Sequence, residues 1–275
     1  MKLQLLNGLV VALVMGCLVT LLSLTPASPP LEYGVAAFST SLAGRTKRQR
    51  HNIELATKAL NGQVIAPQEV FSFHRVIGST SPDRGYVKAA AYLDGELVPE
   101  FGGGVCQVSS TLYNCALLAN CKIIERTRHV WRVRSVPPGL DAAVASGVHD
   151  LKFQNTLPAS IRVRAEIVGD RLIIRFLSAH RLPYRVKITR QVPAVFPPAE
   201  VVEVDPSLPD GVRTTVNPGQ WGCRVRVYRS LYRNGKEIHR ELVSQDYYAP
   251  MNKVVRVGGM EHKKGASGAR RSGSV

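Results

Sequence analysis

Gly102, Gly103, Gly104, Val105, Cys106 and Gln107 run directly into Val108-Ser109-Ser110-Thr111-Leu112-Tyr113-Asn114-Cys115-Ala116-Leu117-Leu118. Three consecutive glycines cannot sustain a helix or strand interior, so they form a tight loop. The stretch after them has no Gly or Pro and places Val108, Thr111, Leu112, Cys115 and Leu118 at helical spacing. Cys106 therefore stands where a loop opens into a helix. There the unpaired N–H groups and the positive end of the helix dipole favour a thiolate. Cysteine catalysis further needs a proton acceptor and donors for an oxyanion. The backbone N–H groups of Cys106, Gly103 and Gly104 are candidate donors, because glycines let a substrate approach, and Gln107 is a side-chain candidate. The bland alternative for Cys106 is a small hydrophobe packed under a glycine turn.

Among the histidines, His129 follows Glu125-Arg126 and begins a strand expected to run from the helix end back beside it. His149, next to Asp150, is the second candidate base; His74 reads as structural. Asp141 comes after the break Pro137-Pro138-Gly139-Leu140. There it can orient an imidazolium, bind a substrate ammonium or hold a turn. Arg126 is a candidate to grip a carboxylate or to pair with Glu125. Ser109 and Ser110, in the first helical turn, read as caps. No GKS or GKT follows the glycines, and there is no paired CxxC or His pair at ligand spacing, so no phosphate loop, metal site or cofactor is expected.

Several elements must position these groups. A helix is expected over Thr46 to Leu60, stopped at Asn61-Gly62, and a strand over Glu69 to Val76. Residues 78 to 104 read mostly as loop, with Tyr86 to Leu93 either helix or strand. Strands follow at Lys122 to Arg126, His129 to Val136, Leu151 to Phe153, Ile161 to Val168 and Arg171 to Leu177. Gly169-Asp170 turns the last two into a hairpin. Tyr184 to Val192 reads as a strand leading out of the domain. Prolines 193, 197, 198, 206 and 209 mark a change of composition. Beyond them, Arg224 to Tyr232 and Lys236 to Tyr247 flank the two-residue turn signal Asn234-Gly235.

The run GGGVCQVSSTLYNCAL closely resembles the VanW family of bacterial envelope proteins. So do Phe71-Ser72-Phe73, Val76-Ile77-Gly78, Glu125-Arg126 with His129, Gly139-Leu140-Asp141-Ala142 and Asp150-Leu151-Lys152-Phe153-Gln154-Asn155, in that order. The resemblance covers roughly residues 38 to 180. It implies a link to glycopeptide resistance and, for some members, cysteine-dependent L,D-transpeptidase activity on peptidoglycan. The family commonly shows Asp-Ala-Thr-Val where this chain has Asp141-Ala142-Ala143-Val144, so one hydroxyl is missing. The stretch from Val201 to Gly258, with its glycines and NG hairpin, resembles the G-five type of extracellular β domain, which implies holding of wall polymers.

The chain has 275 residues, 45% of them hydrophobic, and a net charge of +16, which calls for an anionic partner. Lys2 is the only charge before Glu32, and Leu9 to Leu24 is almost wholly apolar, followed by Thr25-Pro26-Ala27-Ser28. This reads as a signal peptide over 1–30 or an uncleaved membrane anchor through 5–24. Either one puts the rest outside the cytoplasm, where nucleic acid is not expected and peptidoglycan or another anionic envelope polymer is. Of the four cysteines beyond the leader, Cys115 and Cys121 are a candidate disulfide. The fold class expected is α+β: a mixed domain over 34–190 with a glycine-loop and helix cysteine site and antiparallel strands. A small all-β domain over 195–259 and a disordered basic tail over 260–275 follow. Cys106, His129 and Asp141 are the expected catalytic residues, with Gly103, Gly104, Gln107 and Arg126 around oxyanion and substrate. A non-catalytic wall-binding protein is the alternative.

Overall fold

The computed structural model describes residues 33–93 and 96–259, which belong to one compact unit, Glu32–Val275. The leader or anchor expected over 1–30 and the basic tail over 260–275 lie outside the described residues. Strand accounts for 47% of the structure and helices are few. Among the described residues no helix is long and apolar enough to cross a membrane.

The core is built around two helices. Helix α1 (Lys47–Leu60) begins where the Thr46 side chain accepts from the Gln49 N–H and the Gln49 side chain accepts from the Thr46 N–H, a reciprocal capping box. Its buried face carries Ile53, Ala56 and Leu60. Helix α2 (Val105–Leu118) is buried on nearly every side. Two strands, β1 (Tyr33–Ser41) and β2 (Val64–Ile65), form the edges of an antiparallel sheet; β3 (Ile161–Val168) and β4 (Arg171–Ser178) lie between them in the order β1-β4-β3-β2. Leu172, Ile174 and Phe176 alternate inward along β4 and meet the helices. In a second, small sheet, Val70–Ser72 and Lys122–Glu125 flank Lys152–Gln154. Phe71, Phe153 and Phe176 form a stacked column with centroids 4.9 and 5.9 Å apart, joining the two sheets.

Three expectations are corrected. Glu69 to Val76 is not one strand: after Ser72 the chain turns into a short helix, Phe73–Ile77, because the Ser72 side chain accepts the Arg75 N–H and caps it. Of Tyr86 to Leu93, which reads as helix or strand, Lys88–Leu93 is strand, and it pairs in a hairpin with Glu96–Phe101, where loop is expected. His129 to Val136 is irregular, not a strand, and only Thr127 and Ala143 make an isolated bridge near it.

In the C-terminal region, β5 (Arg185–Phe196), β6 (Gly222–Arg233) and β7 (Lys236–Tyr248) form an antiparallel sheet with β6 in the middle. The boundary expected between 190 and 195 thus falls inside β5. Asn234 and Gly235 both take positive φ, 50° and 78°, as the two-residue turn requires. A three-stranded sheet completes the region, with Glu200–Val204 parallel and Arg213–Asn217 antiparallel to Lys253–Val257. The region is all-β.

The three glycines before α2 serve packing. A Cβ on Gly103 would lie 2.4 Å from the Ala89 carbonyl oxygen, and one on Gly104 3.1 Å from that of Gln49. Gly104, the N-cap, has φ 109°. Asn52 of α1 locks this junction, donating to the carbonyls of Val87 (2.9 Å) and Gly103 (3.0 Å). Gly103→Ala should destabilise the protein by about 1–3 kcal/mol, since Ala89 offers backbone that cannot swing aside. Gly34→Ala, where nothing lies within 4 Å, should leave the urea midpoint unchanged.

Candidate active site

Helix α2 begins at Val105, so Cys106 occupies its first turn, half-buried, as the sequence implies. Polar side chains on the same helix hold the loop that carries Asp141. The Ser109 hydroxyl donates to the Ala142 carbonyl (2.7 Å), and the Ser110 hydroxyl accepts from the Ala142 N–H (3.0 Å) while donating to the Cys106 carbonyl (2.6 Å). The Asn114 amide donates to the Leu140 carbonyl at 2.7 Å. Ser109, Ser110 and Asn114 are all buried, and all find partners. The serines expected to cap α2 instead pin Ala142, and Asn114 pins Leu140, so both neighbours of Asp141 are held.

The Asp141 side chain has no solvent exposure and receives four donors. Its Oδ2 accepts from the His129 N–H (2.7 Å) and pairs with His129 Nδ1 at 2.6 Å. Oδ1 accepts from Arg126 Nη2 (3.0 Å) and from the Tyr248 hydroxyl. With Nδ1 on the carboxylate, Nε2 is the nitrogen left free; the Cys106 thiol donates to the Val144 carbonyl at 3.5 Å and lies close enough to the imidazole for each to shift the other's pKa.

The electrostatics follow from these partners. Burial would lower the basicity of His129, but Asp141 and Cys106 outweigh it and raise its pKa to about 9. Burial would likewise raise Asp141, yet His129 and Arg126 bring it down to about 2. For Cys106, burial pushes the thiol up; the hydrogen bond and charge of His129 prevail and hold it below its ordinary 9.0. The arrangement favours a thiolate–imidazolium pair. Cys115 and Cys121 behave oppositely. Both are buried free thiols, so no disulfide joins them, and burial pushes both pKa values up, Cys121 to about 12.

Some expected roles change. Gln107 is buried, its amide donating to the Thr40 hydroxyl (2.9 Å) and the Ser41 carbonyl (2.8 Å), while its oxygen accepts from Arg45 Nε (2.7 Å). It braces α2 against β1 and has nothing left for an oxyanion. The Gly103 N–H donates to the Glu100 carbonyl (3.2 Å), which removes it from the oxyanion donors. Gly104 packs on α1, so close substrate approach is not what its missing side chain provides. The Cys106 N–H, in the first helical turn, is the donor that remains at the sulfur. Arg126 is not open to a substrate carboxylate either: its side chain is 6% exposed and spent on Asp141 and on both oxygens of Asp246, at 2.8 and 2.7 Å. Glu125, on the other side of the strand, pairs with Lys152 at 2.8 Å rather than with Arg126. Asp150, beside His149, turns to the Ser72 hydroxyl (2.6 Å) and the His74 N–H (3.0 Å), so His149 has no orienting carboxylate there.

Sequence reasoning missed Asp246 and Tyr248, both from β7, more than 100 residues beyond Arg126 and Asp141. The available signal was period-two alternation, which puts Ser244, Asp246 and Tyr248 on one face of that strand.

Two predictions follow from this geometry. Arg126→Ala would leave Asp141 and Asp246 buried without their cation and should cost about 3–5 kcal/mol in urea denaturation; an unchanged midpoint would contradict the network. Iodoacetamide at pH 6 to 7 should label Cys106 alone in the native protein, leaving Cys115 and Cys121 to react only after unfolding.

Comparison with known proteins agrees with the order of these regions. The model of the VanW-like protein family matches residues 48–177 and that of the G5 domain residues 187–260. The chain is 38% identical over 160 residues to the uncharacterized protein YoaR of Bacillus subtilis, covering 58% of this chain and 53% of that one. It is 32% identical over 127 residues to the vancomycin B-type resistance protein VanW of Enterococcus faecalis, covering 44% and 46%. The chain therefore spans about half the length of these relatives. The solved G5 domain of an IgA1 protease is 26% identical, covering 28% of this chain and 89% of that one, with a TM-score of 0.22. The chain thus carries a VanW-like domain over residues 48–177, followed by a G5 domain over residues 187–260.

Proposed function

We propose that this protein is an envelope enzyme that transfers acyl groups on peptidoglycan stem peptides through a Cys106 thioester, an L,D-transpeptidase type of reaction. The observation that carries the proposal is the imidazole of His129, oriented by the buried Asp141 at 2.6 Å and electrostatically coupled to Cys106 in the first turn of α2. The cysteine thiolate attacks the carbonyl carbon of a stem-peptide amide, and the Cys106 N–H faces the developing oxyanion. His129 gives its Nε2 proton to the leaving amine of the terminal D-amino acid, so a C–N bond breaks as the thioester forms. An incoming stem amine then loses its proton to His129, attacks the thioester carbonyl and expels the thiolate. Asp141 stays ionised throughout and orients the ring.

The surroundings fit an acidic substrate. Arg45 sits one hydrogen bond from Gln107, the neighbour of Cys106, and is made less basic by burial and by the charge of Arg134. Neither arginine has a carboxylate partner among the described residues. The net charge of +16 and the G5 region support residence on an anionic wall outside the cytoplasm. A leader over 1–30, removed as a signal peptide or kept as an anchor through 5–24, is part of this proposal.

Intact-mass analysis after incubation with a stem tetrapeptide should show an acyl adduct on Cys106, absent in Cys106→Ala. His129→Ala should lower turnover by about 10²–10⁴-fold. Cross-linking should decline above about pH 9, where His129 has lost the proton that the leaving amine needs. Full activity in Cys106→Ala would sink the Cys106 thioester; no adduct and no turnover in the wild type would leave a wall-binding accessory protein.

A further inference from the structure

The cavity lined by Tyr33, Tyr184, Arg181 and Arg185, about 630 Å³, lies apart from the cysteine, and nothing around it selects one ligand. The contacts between the C-terminal sheet and the Asp141 loop carry more. We infer that the G5-like region is a working half of the catalytic centre: Tyr248 and Asp246 are positioning residues that hold Asp141 and Arg126 so that His129 is aimed at Cys106. The inference rests on the cysteine–histidine reading above.

The Asp141 carboxylate divides its two oxygens. One serves His129; the other is held by Arg126 and Tyr248 alone. Tyr248 has no exposure and packs with Cys223, Val225 and Val227 of β6, so its ring cannot swing. Its oxygen also accepts the Gly139 N–H at 2.7 Å, which fixes the loop two residues before Asp141. Gly139 must be glycine there, with φ 86° and an added Cβ 2.5 Å from Val227 Cγ2. Asp246 takes both of its oxygens to Arg126 Nη1, assisted by the Ser244 hydroxyl at 3.0 Å, and so sets the plane of the guanidinium. Without Asp246, the whole Arg126 charge would fall on Asp141 and compete with His129 for it.

The same sheet reaches both flanks of the site. The Ala249 N–H donates to the carbonyl of Val130, next to His129, at 3.2 Å. Arg229 of β6 donates to the Cys121 carbonyl at 2.8 Å, beyond the end of α2, where a cation also favours the helix dipole. Ordinary docking of two regions needs none of these contacts to end on the carboxylate that orients the base.

The test uses the full chain with Tyr248→Phe and Asp246→Asn, and reads the pH dependence of Cys106 alkylation alongside the thermal midpoint. Tyr248→Phe removes one hydroxyl and no charge. It should slow alkylation at pH 6 about tenfold, an upward move of the acid limb by about one unit, with a thermal midpoint lowered because the Gly139 N–H loses its acceptor. Asp246→Asn leaves Arg126 partly uncompensated, so the His129 titration followed by NMR should move down from about 9 toward its ordinary 6.5. Wild-type pH profiles in both variants, even with a lowered midpoint, would reduce the contact to structural glue and overturn the inference. An ordinary thiol profile in the wild type itself would remove the cysteine–histidine reading, and this inference with it.

Discussion

A carboxylate with no solvent exposure organises this protein. Ionised Asp141 can persist inside only because four donors replace its water. Each donor imposes a further requirement. Arg126 brings a positive charge into the same dry region and needs Asp246 to balance it. Tyr248 needs an apolar bed, which β6 and β7 supply. His129 needs the loop on which it sits to be irregular, so that its backbone N–H and its ring both turn to one oxygen. The two family regions are therefore joined through charge compensation as well as through apolar packing.

Helix α2 shows a second consequence. A helix buried on nearly all sides is ordinarily apolar, yet this one carries Gln107, Ser109, Ser110, Thr111 and Asn114 inside. None is idle. The Thr111 and Thr40 hydroxyls meet at 2.9 Å, Gln107 grips β1, and the serines with Asn114 grip the Asp141 loop. The helix acts as a template that holds loop backbone on one side and a strand on the other, with Cys106 in its first turn. Volume is the constraint at that end: α1 and the 88–101 hairpin approach so closely that side chains at 103 and 104 would collide with backbone.

Local signals were legible in the sequence and long-range ones were not. The α1 start at Thr46, the Gly169-Asp170 and Asn234-Gly235 turns, and the cysteine at the head of a helix all rest on neighbours within a few residues, where propensity and capping decide. His129 and Asp141 could be singled out as candidates, but their pairing depends on how the 126–144 loop is pinned, and no periodicity encodes that. The expected strand over His129 to Val136 failed for the same reason: its hydrogen bonds go to side chains and to the C-terminal sheet, as in Gln220 Nε2 donating to the Arg132 carbonyl at 3.0 Å. Arg126 looked like a substrate clamp because an arginine beside a candidate site is indistinguishable, in one dimension, from one already claimed by Asp246.

The distance along the chain between Asp141 and its partners also orders events in time. A ribosome delivers residue 141 more than 100 residues before Tyr248. Until the β6–β7 hairpin arrives, Arg126 and Asp141 lack two of the groups that let them leave water, and the loop bearing the base has no sheet to rest on. The VanW region can gather its apolar core during synthesis, but the polar cluster beside Cys106 stays incomplete. Completion of the Asp141 cluster is thus timed by the last strands to be made, so a chain stopped short of β7 would hold a packed core around an unfinished polar site.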